Sequence, residues 1–239
     1  MPKDMTLLLV LRVIILTGCL IPMHSCSGKG ATMKVTTIPV GPIQSNCYIV
    51  YDQKSLDAIV IDPGEEAERI MKKIEDDRLK VCYIVCTHGH FDHVGAVADL
   101  KRKTGARVVL NKKDLEIYRH AGELASSWGF HIVQPPEPDL LVEEGDELIA
   151  GGLKFTVLAT PGHSPGGICL HGRGILFTGD TIFAGSVGRT DLYGGDIGEL
   201  KKSFVRLISL PADTEILPGH GGRSSVGKEQ VINFFVHEV

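Results

Sequence analysis

The segment Thr87-His88-Gly89-His90-Phe91-Asp92-His93 sets four metal-capable side chains into six positions. Three of the chain's ten histidines fall in it, which is too dense for a chance polar loop. His88 and His90 are two apart, so in extended chain their side chains point the same way. Asp92 and His93 are adjacent at a helix start; they diverge and can serve a second ion. Neutral imidazoles together with a carboxylate suit zinc, iron or manganese.

Three further residues share one placement. His163 lies in Thr160-Pro161-Gly162-His163, Asp180 in Phe177-Thr178-Gly179-Asp180, and His220 in Leu217-Pro218-Gly219-His220. Each is a predicted strand end, a glycine, then a ligand-type side chain. Glycine lets the backbone turn tightly and approach an ion closely. A lone histidine is more often structural, but three such residues at the ends of neighbouring strands build one site.

The elements that must position these residues are legible from periodicity. Strands are predicted over 34–38, 46–50 and 58–61, the last ended by Asp62-Pro63-Gly64. A helix from about Glu65 places Ala67, Ile70, Met71 and Ile74 on one face, with acidic residues in its first turn. The fully apolar run 81–86 is a buried strand that stops at the histidine cluster. Val94, Val97, Ala98 and Leu100 trace a helix closing near Gly105. A strand at 107–110 and a short helix at 112–119 follow. Residues 122–139, with Trp128 and the run Pro135-Pro136-Glu137-Pro138, read as an irregular loop and a candidate lid. A hairpin spans 147–160 around Gly151-Gly152, then come strands at 168–170 and 175–178. The order closes with a helix at 197–209, a strand at 215–217 and a helix at 227–237. Strands in runs separated by helices, twice over, predict an α+β fold: a four-layer αββα sandwich of two antiparallel-rich sheets. No boundary linker or short-period repeat is visible, so residues 33–239 form one domain.

The bulk composition is that of a globular protein, with 43% hydrophobic and 23% charged residues. The net charge of −4 and the lack of a basic block argue against nucleic acid as a partner. The six cysteines form no CxxC pair and read as buried reduced thiols. Residues 1–32 stand apart as a leader or a non-native extension. The apolar run Leu7–Leu16 carries Arg12 and is too short to span a bilayer. Leu16-Thr17-Gly18-Cys19 resembles a lipoprotein cleavage site, which would make the protein an exported lipoprotein anchored through Cys19. The other reading, a start at Met33, makes it cytoplasmic. Oligomeric state has no signal in the sequence.

The full set resembles the metallo-β-lactamase superfamily, whose pattern is HxHxDH followed by His, Asp and His. The resemblance runs from about Met33 to Val239. It implies that His88, His90 and His163 hold one divalent metal ion and that Asp92, His93 and His220 hold a second. Asp180 would bridge the two, and Asp62 would support the ligands from behind; a helix cap is Asp62's other reading. The ions would be zinc, with iron or manganese as alternatives. Within the family, Ile182 to Asp191 after Thr178-Gly179-Asp180-Thr181 resembles the short glyoxalase II-like proteins. That likeness implies a hydrolase for small thioesters of the hydroxyacylglutathione type, using a water that the two metals activate, with Asp92 and Asp180 orienting it. Arg189 stands where glyoxalase II has a basic anchor for a glutathione carboxylate. An ion pair with Asp191 is the equal alternative. The tyrosine that glyoxalase II carries near the position of Asp191 is absent, and so is its C-terminal helical extension. Rival readings on the same scaffold are a mononuclear iron persulfide dioxygenase and a lactonase or phosphodiesterase.

Overall fold

A computed structural model describes residues 32–239. The leader reading, with Cys19, therefore lies outside the described residues. The first half runs β1 (Met33–Val40), β2 (Ser45–Asp52), β3 (Asp57–Ile61), α1 (Ala67–Asp76), β4 (Lys80–Val85), α2 (Phe91–Val94), α3 (Val97–Thr104), β5 (Arg107–Asn111), α4 (Leu115–Arg119), α5 (Ala121–Ser127) and β6 (Leu140–Val142). The second half runs β7 (Glu147–Ala150), β8 (Leu153–Ala159), β9 (Ile168–Gly172), β10 (Ile175–Gly179), β11 (Ile182–Phe183), β12 (Ser186–Val187), α6 (Ile197–Ile208), β13 (Glu215–Pro218), β14 (Ser224–Ser225) and α7 (Val226–Ile232).

Two six-stranded sheets result, in the orders β1-β2-β3-β4-β5-β6 and β14-β13-β10-β9-β8-β7. Strand alternation then dictates the layers. In β2, Tyr48 and Val50 face the second sheet, while Cys47, Ile49 and Tyr51 face the other way, toward the helices. In β3, Ile59 and Ile61 point inward and Ala58 and Val60 outward. The inner faces meet Leu148, Phe155, Leu170, Phe177 and Leu217 of the second sheet. Phe177 stacks edge-on against both Tyr48, at 5.2 Å, and Phe155, at 5.7 Å. Burying a side chain of this size contributes about 1.5–3 kcal/mol.

The helices cover the outer faces. α1 lays Ile70, Met71 and Ile74, and α3 lays Val97 and Leu100, on the first sheet. α6 lays Leu200, Phe204 and Leu207, and α7 lays Val226, on the second. The order helix, sheet, sheet, helix is the predicted αββα sandwich.

Several local expectations need correction. The first sheet is mixed: β3, β4, β5 and β6 run parallel. α1 and α3 each fill a crossover between parallel strands, which period-2 patterning does not reveal. α1 starts at Ala67, two residues later than expected, after Glu66 in a left-handed conformation. The loop predicted over 122–139 begins as helix α5, where Ala121 and Ala125 bury one narrow face; only residues 128–139 are irregular. Cys47, Cys86 and Cys169 are buried, but Cys82 is only half-buried.

Candidate metal centre

The site forms where strands of both sheets end. β4 stops at Val85, and the chain turns through Thr87 to deliver His88 and His90; α2 then presents Asp92 and His93. His163 follows β8, Asp180 follows β10 directly, and His220 follows β13. Backbone hydrogen bonds lock these loops together: Ile168 N donates to Thr87 O at 2.8 Å, Asn46 N to Gly219 O at 2.7 Å, and Gly219 N to Gly179 O at 2.7 Å.

All seven sequence-predicted side chains meet here. One ligand atom each from His88, His90 and His163 lies within 4.8 Å of the others, and the same holds for Asp92, His93 and His220 and for His88, His93 and Asp180. His90 Nδ1 is 2.9 Å from His163 Nε2, and His93 Nε2 is 3.3 Å from His220 Nε2. Asp180 stands between the groups, with Oδ2 3.6 Å from His163 Nε2 and 3.5 Å from His220 Nε2. Its Oδ1 lies 3.4 Å from His93 Nε2. Asp92 and His93 were expected to diverge; instead Asp92 Oδ2 and His93 Nε2 converge to 3.4 Å.

The glycines before the ligands turn the backbone and let it pass close to its surroundings. Gly162 (φ +141°) and Gly179 (φ +46°) adopt positive φ, and a Cβ on them would lie 2.4 Å from the Leu200 backbone and 2.3 Å from Thr87 Oγ1, respectively. A Cβ on Gly219 would lie 2.2 Å from Asp180 Oδ1 and 2.9 Å from His93 Cε1, so there the close approach is to other ligand side chains.

Behind the ring nitrogens sits a set of partners that fixes tautomers. The Thr87 hydroxyl donates to Asp62 Oδ2 at 2.7 Å, so its lone pair faces His88 Nδ1 at 3.1 Å and accepts from it. His88 Nε2 is thereby left as a bare acceptor, and it has no hydrogen-bond partner. His163 Nδ1 donates to the Arg189 carbonyl at 2.7 Å, which leaves Nε2 without a proton and facing His90 Nδ1 at 2.9 Å. His93 Nδ1 is 3.1 Å from Asp62 Oδ2, out of line for a full hydrogen bond, and turns Nε2 into the site. Asp62 also accepts from Thr87 N at 2.7 Å and caps no helix. Metal-binding imidazoles are held in this way, one nitrogen anchored and the other bare.

The electrostatics fit a cation. Burial pushes the pKa of His88 well below the usual imidazole range and that of His90 down to about 4, with neighbouring histidines adding to both shifts. Burial also opposes charge on His93, but Asp92, Asp180 and Asp62 outweigh it and hold that pKa well above normal. His220 is likewise raised to about 9 against the effect of burial, by hydrogen bonds to Asp180 and Asp92. Asp92 and Asp180 are lowered, because the facing histidines overcome burial. The carboxylates thus attract positive charge, and a divalent ion would displace those protons, since ligand imidazoles must be neutral. Bare nitrogens, an unpaired Asp180 Oδ1 and a mixed nitrogen–oxygen donor set fit zinc, iron or manganese.

The ligand cluster opens into a cleft of about 160 Å³, walled by Trp128, Leu124, Leu192 and Arg189. A hollow of about 440 Å³ adjoins it and shares His90, Leu124 and Leu192. Arg189 lies on the cleft wall, and its guanidinium donates to Asp191 through two contacts of 2.6 Å, the ion pair that was one of its expected readings. Its guanidinium also sits 5.9 Å from the Trp128 ring.

Sequence reasoning missed Ser45, whose hydroxyl donates to Asp92 Oδ2 at 3.1 Å, and the role of the Thr87 hydroxyl. Thr87 had a signal in its place beside the cluster, while Ser45 had none.

Comparison with known proteins agrees with this geometry. Residues 40–220 match the Metallo-beta-lactamase superfamily. An uncharacterised protein of Aquifex aeolicus is 45% identical over 87% of this chain and 99% of its own length. The hydroxyacylglutathione hydrolase GloC of Haemophilus influenzae is 37% identical over 86% of this chain and 99% of its own. The crystal structure of TTHA1623 in a di-iron-bound form superposes with a TM-score of 0.78 at 40% identity, covering 84% of this chain and 99% of that one. Descent and fold therefore point the same way, and the chain belongs to the metallo-beta-lactamase superfamily as a metal-dependent hydrolase.

Proposed function

We propose that the chain hydrolyses small thioesters of the hydroxyacylglutathione type at a centre of two divalent metal ions. The observation that carries this reading is the convergence of seven ligand-type side chains from both halves of the sandwich, five of which, His90, Asp92, His163, Asp180 and His220, line an open cleft. His88, His90 and His163 would hold one ion, Asp92, His93 and His220 the other, and Asp180 would contact both. Zinc or iron suits this donor set, and the di-iron form of TTHA1623 supports iron as a full alternative. When bound, such ions supply Lewis acidity and bring the pKa of a water down to about 7.

The chain's own residues do the rest. Asp92 and Asp180 orient the attacking water, and Asp180 Oδ1, which accepts no hydrogen bond from the protein, is placed to accept its proton. Leu124, Leu192 and Trp128 form an apolar wall against which an acyl group packs. Arg189 offers its guanidinium to a carboxylate on the thiol portion, in competition with Asp191. The GloC relative, named a hydroxyacylglutathione hydrolase, is matched over 99% of its own length, which supports glutathione as the thiol portion.

Metal analysis of the purified chain combined with a panel of thioesters tests the reading. Two ions per chain and turnover of hydroxyacylglutathione are expected, with turnover lost in Asp180→Ala. One iron per chain with oxygen-dependent sulfur oxidation, or turnover confined to lactones or phosphodiesters, would overturn it.

A further inference from the structure

Asp114 is fully buried and belongs to none of the ligand groups. It ends a single 3₁₀ turn (Lys112–Asp114) after β5, beside the loop that follows β4. Its carboxylate is surrounded by three donors. Oδ2 accepts from Gly89 N at 2.9 Å and from Ser164 Oγ at 2.7 Å, and Oδ1 accepts from Gly166 N. Gly89 lies between His88 and His90. Ser164 follows His163, and Gly166 closes the same turn. One carboxylate therefore grips the two loops that carry His88, His90 and His163.

Those loops belong to different sheets, so nothing in either sheet's own ladder sets the distance between them. Asp114 spans 25 residues to Gly89 and 50 to Ser164. The fit is close: a Cβ on Gly166 would lie 2.6 Å from Asp114 N and 2.7 Å from its Oδ1. Only a carboxylate meets the demand. It accepts on both oxygens and donates on neither, whereas an asparagine would aim an N–H at one of the three donors. The loop that carries His220 is held separately, by the Asn46 side-chain amide donating to Pro218 O and Gly221 O, each at 2.9 Å.

We infer that Asp114 is a positioning residue that sets the separation of the His88–His90 loop and the His163 loop, and so tunes metal affinity selectively at that three-histidine group. The inference rests on the metal centre proposed above but not on its substrate, so its test reads binding rather than turnover.

The experiment is a chelator-competition titration of the full chain with zinc. The two binding steps are assigned by reference variants, His163→Ala for the three-histidine group and His220→Ala for the other. Asp114→Asn is expected to weaken the step that His163→Ala weakens by about 10- to 100-fold, the usual effect of losing a residue that orients ligands. The other step should stay essentially unchanged. Ser164→Ala removes one donor and leaves the carboxylate in place, so it should produce a smaller loss at the same step. Wild-type affinity in both variants, or an equal loss at both steps in a folded variant, would overturn the inference. If Asp114→Asn fails to fold, Ser164→Ala decides alone, and the absence of a selective loss overturns it. A wild-type chain that takes up no zinc would overturn the metal centre itself, and this inference with it.

Discussion

Replacing Asp62 with alanine removes the acceptor that holds the base of the histidine cluster. Asp62 is buried and takes hydrogen bonds at 2.7 Å from both the amide and the hydroxyl of Thr87. Without the carboxylate, two buried donors lose their partner. At about 1–3 kcal/mol for each buried group left unpaired, the loss is about 2–6 kcal/mol. A typical domain holds only about 5–15 kcal/mol in total. Asp62 also sits at φ +51°, a left-handed conformation that alanine disfavours and asparagine tolerates. Asp62→Asn keeps one acceptor for Thr87 N, and the Thr87 hydroxyl can rotate, so about 1–3 kcal/mol is the expected loss there. The assay is thermal unfolding of the metal-free chain, so that ligand binding does not enter the comparison. At about 2–4 °C per kcal/mol, Asp62→Ala should lower Tm by about 4–24 °C, and Asp62→Asn by distinctly less. Both variants should bind metal more weakly at the His93 group, because the imidazole loses the anion behind it. Equal Tm losses for alanine and asparagine, or an alanine loss under about 1 kcal/mol, would refute the assignment of Asp62 as the shared acceptor.

Other outcomes are expected with it. In the metal-free chain His90 is held down at about 4, so the unfolded state takes up protons first and stability falls as pH drops from about 6.5 toward 4. His220, held up at about 9, contributes stability that is complete below about pH 6.5 and lost as pH rises through 9. Denaturant midpoints should therefore peak near about pH 6–7; a flat profile would contradict both shifts, and a monotonic one would contradict one of them. Arg189→Ala should raise KM for a thioester bearing a carboxylate with little change in kcat, and Asp191→Asn should lower that KM by freeing the guanidinium. An ester without the carboxylate is the control, and equal effects on both esters would make the pair structural. Deleting residues 1–32 should leave a folded, active chain, because β1 starts at Met33 and, among the described residues, the backbone bond given up is that from Gln53 N to Thr32 O. Insoluble expression or lost activity of the shortened chain would count against it.

The ligand loops were legible because metal chemistry restricts residue types and because His163, Asp180 and His220 each follow a strand end within a few residues. The helices over the sheets were legible where an apolar stripe is wide, as in α1 with Ile70, Met71 and Ile74. α5 was missed because its buried face is only Ala121 and Ala125, beside a glycine. β11, β12 and β14 are two residues each, too short to alternate. Ser45 and Asp114 were illegible for another reason. Their partners lie 25 to 52 residues away, and a lone serine or aspartate has many local uses.

The ligands divide unevenly between the halves of the sandwich: His88, His90, Asp92 and His93 come from the first, and His163, Asp180 and His220 from the second. Each of the three converging groups draws on both halves. An ion held there acts as a rivet across the sheet interface, and its binding energy resists any opening that slides one sheet past the other. It also sets an order of events during synthesis. A nascent chain has no complete three-residue group until His163 has emerged, and it lacks the Asp92, His93 and His220 group until residue 220 has been made. Metal loading would therefore come late in synthesis, after His163 for one group and after His220 for another.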